Sequence, residues 1–136
     1  MVKQLWLNLP VKSVEKSKAF FTEIGFSFNE KHDTASSACM LVGENNFAVM
    51  LFEEKQLQEF IQHKLTDTQE SSEMMISIDA QSKKEVDDFA DKVREAGGVV
   101  FSEPAEIQGW MYGCGFADLD GHRWNVLYMD LSKMTK

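Results

Sequence analysis

The chain reads as an α+β protein of two βαβββ modules whose curved mixed sheets enclose a cavity. Three observations predict this. The stretch FADLDGHRWNVLYM, Phe116 to Met129, is a β-hairpin by its Asp120-Gly121 turn, because glycine accepts the positive φ that tight hairpins need. The order strand, helix, three strands occurs twice, although residue identities barely match between the halves. A unit of this order leaves one sheet face bare, so two must combine, and a curved sheet around a shared cavity is the economical solution.

Leu5 to Leu9 form the first strand, closed by Pro10. A helix follows from about Val14 to Ile24, with Ser13 as N-cap, Glu15 in the first turn where the macrodipole favours a carboxylate, and Gly25 as the stop. Val14, Ala19 with Phe20, and Ile24 approximate helical spacing and mark the core face. Phe26 to Phe28, Ala38 to Val42 and Phe47 to Phe52 are three short strands, the last two joined through Gly43-Glu44-Asn45-Asn46. From Glu53 to about Leu65, apolar residues at Leu57, Phe60, Ile61 and Leu65 describe a surface helix with one face on the body. Thr66 to Ser72 has no apolar anchor and is a connecting loop.

The pattern then restarts. Met74 to Ile78 is a strand, Ser82 with Glu85 makes a capping box, and Val86, Phe89, Ala90 and Val93 give the apolar stripe of a helix. Ala96-Gly97-Gly98 ends that helix, a short strand covers Val99 to Phe101, a loop surrounds Pro104, and a hairpin runs from about Met111 to Met129. The organisation expected is one domain over 1–136, with a first module at about 1–52, a connecting helix and linker at about 53–72, and a second module at about 73–130.

Composition narrows the function. With 43% hydrophobic and 26% charged residues the chain belongs with globular proteins. Its 22 acidic against 14 basic residues give a net charge of −8 and a pI near 4.8, which repels a phosphate backbone or an anionic membrane. No nucleic acid and no membrane partner is expected. No apolar run approaches the roughly 20 residues that span a bilayer, and MVKQLWLNLPVKS turns polar too soon for a signal peptide, so a cytoplasmic location is expected. Cys39 and Cys114 lie far apart outside any C-x-x-C pair and read as free thiols of a reducing compartment.

After the turn, the last strand should alternate. Trp124, Val126 and Tyr128 then face one way, toward a helix, and Arg123, Asn125, Leu127 and Met129 the other. Asn125, polar in the middle of that second face, points either into a cavity or to water on a half-solvated sheet. His122 begins the strand, where hydrogen bonds that fix the hairpin are its natural role. His32 reads as an exposed loop residue or one at a cavity mouth, and His63 as a solvated residue of the connecting helix. Three histidines without ligand spacing make no metal motif. Trp110 and Tyr112, between Gln108-Gly109 and Gly113, suit either core packing or a cavity lip closing over a flat or apolar ligand. Methionines in or near strands, Met75 among them, fit an adaptable apolar interior.

Two of these stretches together resemble the vicinal oxygen chelate superfamily, which includes glyoxalase I, extradiol dioxygenases, and fosfomycin and bleomycin resistance proteins. NLPVKSVEKSKAFFTEIGFSF is similar to its first strand and helix, and FADLDGHRWNVLYM to its D-x-D-G-H-x-W-E hairpin. The resemblance implies paired βαβββ modules, a homodimer in many members, and a divalent metal held by His, Glu or Gln at four strand positions. Those positions fall on Trp6, Leu51, Glu73 and Asn125. Trp and Leu cannot coordinate a cation and Asn offers only a neutral carbonyl oxygen, whereas catalytic zinc sites use about three protein ligands. No metal site and no cofactor is therefore expected, Glu73 being the only plausible ligand. Two functions follow. One is metal-independent capture of a small apolar or aromatic molecule by a pocket containing Trp6, Asn8, Leu51, Glu73, Met75 and Asn125, with Trp110 and Tyr112 at its lip. The other is an enzyme, either a metal-dependent lyase or dioxygenase, or a metal-free catalyst with Glu73 as general base in an apolar setting.

Overall fold

A computed structural model describes residues 1–134, without the side chain of His32. The chain divides into two compact units, Met1–Asp67 and Thr68–Lys136.

In the first unit, β1 (Leu7–Val11) leads into α1 (Val14–Glu23), then β2 (Ser27–Phe28), β3 (Ser37–Val42), β4 (Phe47–Glu53) and α2 (Glu54–Ile61). The Ser13 hydroxyl accepts from the Lys16 N–H at 3.2 Å, which satisfies one of the orphan donors at the start of α1. The strands lie in the order β1-β4-β3-β2, with β1 parallel to β4 and the other pairs antiparallel. Here β1 starts two residues later than its sequence pattern suggests and runs through Pro10. An edge strand tolerates this because one row of its backbone groups needs no ladder partner. α2 is also shorter than its apolar spacing suggests. Gln62, in the left-handed region at φ 54°, stops it, so Leu57 is buried while Phe60 and Ile61 stay exposed.

In the second unit the order is β5 (Met75–Asp79), α3 (Lys83–Glu95), β6 (Val99–Ile107), β7 (Met111–Ala117) and β8 (Arg123–Met129). Ser82 caps α3 by accepting from the Glu85 N–H at 3.1 Å, and the Glu85 carboxylate accepts from the Gln81 N–H at 3.3 Å. The sheet order β5-β8-β7-β6 repeats that of the first unit, with β5 parallel to β8. The short strand expected at Val99 to Phe101 extends to nine residues and passes Pro104. It can do so because β6 is an edge strand whose pairing to β7 shifts register on either side of Ser102.

The two mixed βαβββ modules are present, but the expected curved sheets enclosing a cavity are not. Each sheet is open, with edges at β1 and β2 or at β5 and β6. The physical reason is width: about eight strands are needed to close a sheet on itself around an interior, and each unit has four. One face of each sheet is packed under a helix, α1 on β3 and β4, α3 on β6, β7 and β8. Among the described residues no helix is long and apolar enough to cross a membrane.

Candidate functional site

The last hairpin is fixed by a buried polar knot. The Asp118 carboxylate accepts from the N–H groups of Asp120 and His122, both at 3.0 Å, and from the Trp124 indole N–H at 3.1 Å. Burial pushes the Asp118 carboxyl above its ordinary range, against the opposing pull of His122 and of these three donors. His122, itself buried, exchanges backbone hydrogen bonds within the turn, its carbonyl accepting from the Asp118 N–H at 3.1 Å. The segment before β5 is strapped to the same turn: the Thr68 hydroxyl donates to the Asp120 carbonyl at 2.5 Å and the Gln69 amide to the Leu119 carbonyl at 3.1 Å. This knot sets where β8 starts and hence which way its side chains point.

From there the alternation holds. Trp124 and Val126 are fully buried on the helix-covered face, where the Phe116 ring stacks on Trp124 with centroids 5.9 Å apart and Phe89 of α3 lies 5.6 Å from Phe116. Arg123, Asn125 and Leu127 are half-buried on the other face. Residues opposite one another in a ladder share a face, so Met75 joins Arg123, and Ser77 and Gly115 flank Asn125. Gly115 is required here by close approach: a Cβ at this position would sit 2.5 Å from the Phe101 ring. The ring thus lies over bare backbone, and the Arg123 guanidinium carbon stands 4.5 Å from its centroid, within cation–π range.

At the Arg123 end of this open face is a depression of about 460 Å³ lined by Ser72, Glu73, Met74, Met75, Phe101 and Arg123. Met75 is 53% and Phe101 44% exposed. Neither Glu73 nor Arg123 makes an ion pair among the described residues. Farther along, the Asn125 side-chain oxygen is buried without a hydrogen-bond donor.

The candidate residues read from the sequence separate accordingly. Glu73 and Met75 meet in this depression, with Asn125 on the same face. Tyr112 pairs with Tyr128 and turns to the helix side, where its hydroxyl donates to Asp87 of α3 at 2.7 Å. Trp110 is half-buried in the turn between β6 and β7. In the first unit Trp6, 54% exposed, precedes β1 and lines a separate depression of about 320 Å³ with Lys3, Asn45, Asn46 and Phe47. Asn8 is exposed and lies opposite Met50, whereas Leu51, 0% exposed, lies opposite Leu9 in the core row. Leu51 and Asn8 therefore occupy opposite faces of one sheet, and Met50 is the residue on the face of Asn8. The His32 side chain lies outside the described residues.

Phe101 and Arg123 were not among the candidates. The alternation that pointed to Asn125 also placed Arg123 on its face, but only the register shifts of β6 bring Phe101 there.

A metal of the superfamily's kind does not fit these residues. Leu51 is core, Glu73 is one carboxylate, and the orphaned Asn125 oxygen is a neutral donor. Among the described residues no group of three or more His, Cys, Asp or Glu side chains is placed to hold an ion.

Comparison with known proteins agrees with this architecture. The family model described as bleomycin resistance protein-like N-terminal matches residues 3–43. The hypothetical protein SA1046 from S. aureus is 38% identical with a TM-score of 0.84, the match covering 94% of each chain. A glyoxalase-related enzyme from Fulvimarina pelagi shares the fold at 19% identity and TM-score 0.81, over 93% of this chain and 88% of that one. The fosfomycin resistance protein FosX from Listeria monocytogenes does so at 21% identity and TM-score 0.69, over 98% of each. Curated proteins gave no match. The chain thus shares the fold of glyoxalase-related and fosfomycin resistance proteins, and its N-terminal part matches a bleomycin resistance protein-like family.

Proposed function

We propose that this protein binds a small apolar or aromatic molecule on the open sheet face of its second unit, without a metal ion. The observation that carries the reading is the Phe101 ring over Gly115 beside exposed Met74 and Met75: an apolar platform on a face where a metal lacks ligands. Aromatic and thioether groups left exposed together favour a flat apolar ligand. The free, buried cysteines fit a cytoplasmic protein, and a homodimer of single two-module domains is the assembly proposed with it.

The test is an NMR titration of full-length, methionine-methyl-labelled protein with indole in the presence of a chelator. Saturable shifts at Met74 and Met75, weakened about tenfold or more by Phe101→Ala, are expected. Binding that requires added manganese or zinc, or shifts confined to methionines of the other unit, would refute it.

A second reading, metal-free catalysis with Glu73 as base, draws on the free carboxylate in the same depression. Glu73 is exposed, however, while that role rests on a buried carboxylate. Turnover of a carbon acid that Glu73→Ala abolishes, with ligand affinity intact, would establish it in place of binding alone.

A further inference from the structure

We infer that the ligand of this depression is a small organic monoanion: a carboxylate held by Arg123, carrying an apolar or aromatic body against Met75 and Phe101 and a hydroxyl donor toward Glu73. The inference rests on the binding reading above and adds the ligand's charge.

Arg123 is one of two arginines in an acidic chain with a net charge of −8. Like the exposed Lys3, Lys16, Lys31, Lys55, Lys64 and Lys92 it makes no ion pair among the described residues, but unlike them it is half-buried. Lys18, Lys83, Lys84, Arg94 and Lys133 each face a carboxylate, while Arg123 faces none among the described residues. Its guanidinium lies over the Phe101 ring instead, and its backbone is fixed in β8 between Met75 of β5 and Ala117 of β7. A guanidinium that lies over a ring and makes no ion pair keeps N–H groups for a carboxylate, which it can receive through two parallel hydrogen bonds. A half-buried strand position also limits the side-chain freedom lost on binding. Glu73 lines the same depression and makes no ion pair with Arg123 or another described cation. A carboxylate there repels a second negative charge on the ligand and accepts from a hydroxyl group, which selects a monoanion with a donor over a dianion. The rest of the lining is Ser72, Met74, Met75 and Phe101, mostly apolar, which calls for an apolar body.

Mandelate carries these three features; mandelamide removes the charge, phenylacetate removes the hydroxyl, and phenylphosphonate, a dianion in mildly alkaline buffer, adds a second charge and also lacks the hydroxyl. Titrations of the full chain, followed at the Met74 and Met75 methyl groups, are expected to show mandelate about tenfold or more tighter than mandelamide. Arg123→Gln should remove that preference, and Arg123→Lys, which keeps the charge but not the planar fork, should remove part of it. Glu73→Ala should abolish any advantage of mandelate over phenylacetate and improve phenylphosphonate. Equal binding of mandelate and mandelamide overturns the inference while leaving the apolar site standing, as does mandelate affinity unchanged by Arg123→Gln. Phenylphosphonate binding tighter than mandelate overturns the monoanion assignment. Failure of all four compounds and of indole to bind at millimolar concentration removes this inference and the binding reading together.

Discussion

Gly43 to Asn46 joins β3 to β4 in the first unit, and Asp118 to His122 joins β7 to β8 in the second. Both connect the same pair of strands in the same sheet order. The first is exposed throughout and held by one backbone bond, Asn46 N–H to the Gly43 carbonyl at 3.1 Å, with Gly43 at φ 77° and Asn46 at φ 52°. The second is almost wholly buried, with a carboxylate that satisfies three donors and a strap from Thr68 and Gln69 across it. A water-exposed turn only has to reverse the chain. A buried one must pair every polar group, and in doing so it fixes the strand that carries Arg123 and Asn125.

The largest expected effect separates the two turns through their acidic residues. Asp118→Ala leaves the Asp120, His122 and Trp124 donors buried without an acceptor, at about 1–3 kcal/mol for an unsatisfied group, and should cost about 3 kcal/mol or more. Glu44→Ala, in the exposed turn, should stay within about 0.5 kcal/mol. Urea midpoints of the two variants decide this, and equal shifts would mean that the knot is not what holds the hairpin.

Next come the glycines. Gly43 at φ 77° has nothing within 4 Å of an added Cβ, so Gly43→Ala should cost only the left-handed strain, about 1 kcal/mol. At Gly121, φ 87°, the Cβ would meet the Thr68 carbonyl oxygen at 2.5 Å and the Gln69 nitrogen at 3.0 Å. Backbone must then move, and Gly121→Ala should cost about 3 kcal/mol, with amide exchange of Thr68 and Gln69 accelerated. A similar cost for both substitutions would show that the strap does not press on the turn.

The mildest probe leaves the fold untouched. Cys39 pairs with Met50 on the open-face row of the first sheet, and Cys114 pairs with Val126 on the helix-covered row of the second. Both thiols are raised by burial, Cys39 with help from Asp33, and Cys114 is pushed up to about 11 from 9.0. At pH 8 Cys114 then has a thiolate fraction about a hundredfold below that of an ordinary thiol, and its rate should climb tenfold per pH unit until about 11. Iodoacetamide labelling read by mass spectrometry should therefore be slow in the native protein and fast in urea. Equal native and denatured rates would contradict the buried placement.

The rows themselves differ as the turns do. Asn8, Met50 and Cys39 stand side by side in the first sheet where Ser77, Asn125 and Gly115 stand in the second. Alternation along FADLDGHRWNVLYM was enough to place Arg123 and Asn125 opposite Trp124 and Val126. It was not enough for Leu51. Aligning a motif by eye fixes a residue's face only to within one position, and a single step turns a side chain through the sheet. Phe101 was beyond such reading because the register shifts of β6 break the period-two pattern before the ring reaches Gly115. The role of Asp118 was also hidden, since a carboxylate before a tight turn looks like any solvated turn residue until its three donors converge on it.

Local chemistry was decisive for what depends on neighbours in the chain. Ser13 and Ser82 as caps, the apolar stripe of α3, the Asp-Gly turn and the repeated strand-helix-strand order all arise from contacts within a few residues, and each is written in the amino-acid order. The tertiary structure alone decided that both sheets stay open, that Pro10 and Pro104 lie inside edge strands, and that Phe101, Met75 and Arg123 share one surface. Those outcomes depend on hydrogen-bond register between strands far apart in the chain, which no local spacing specifies.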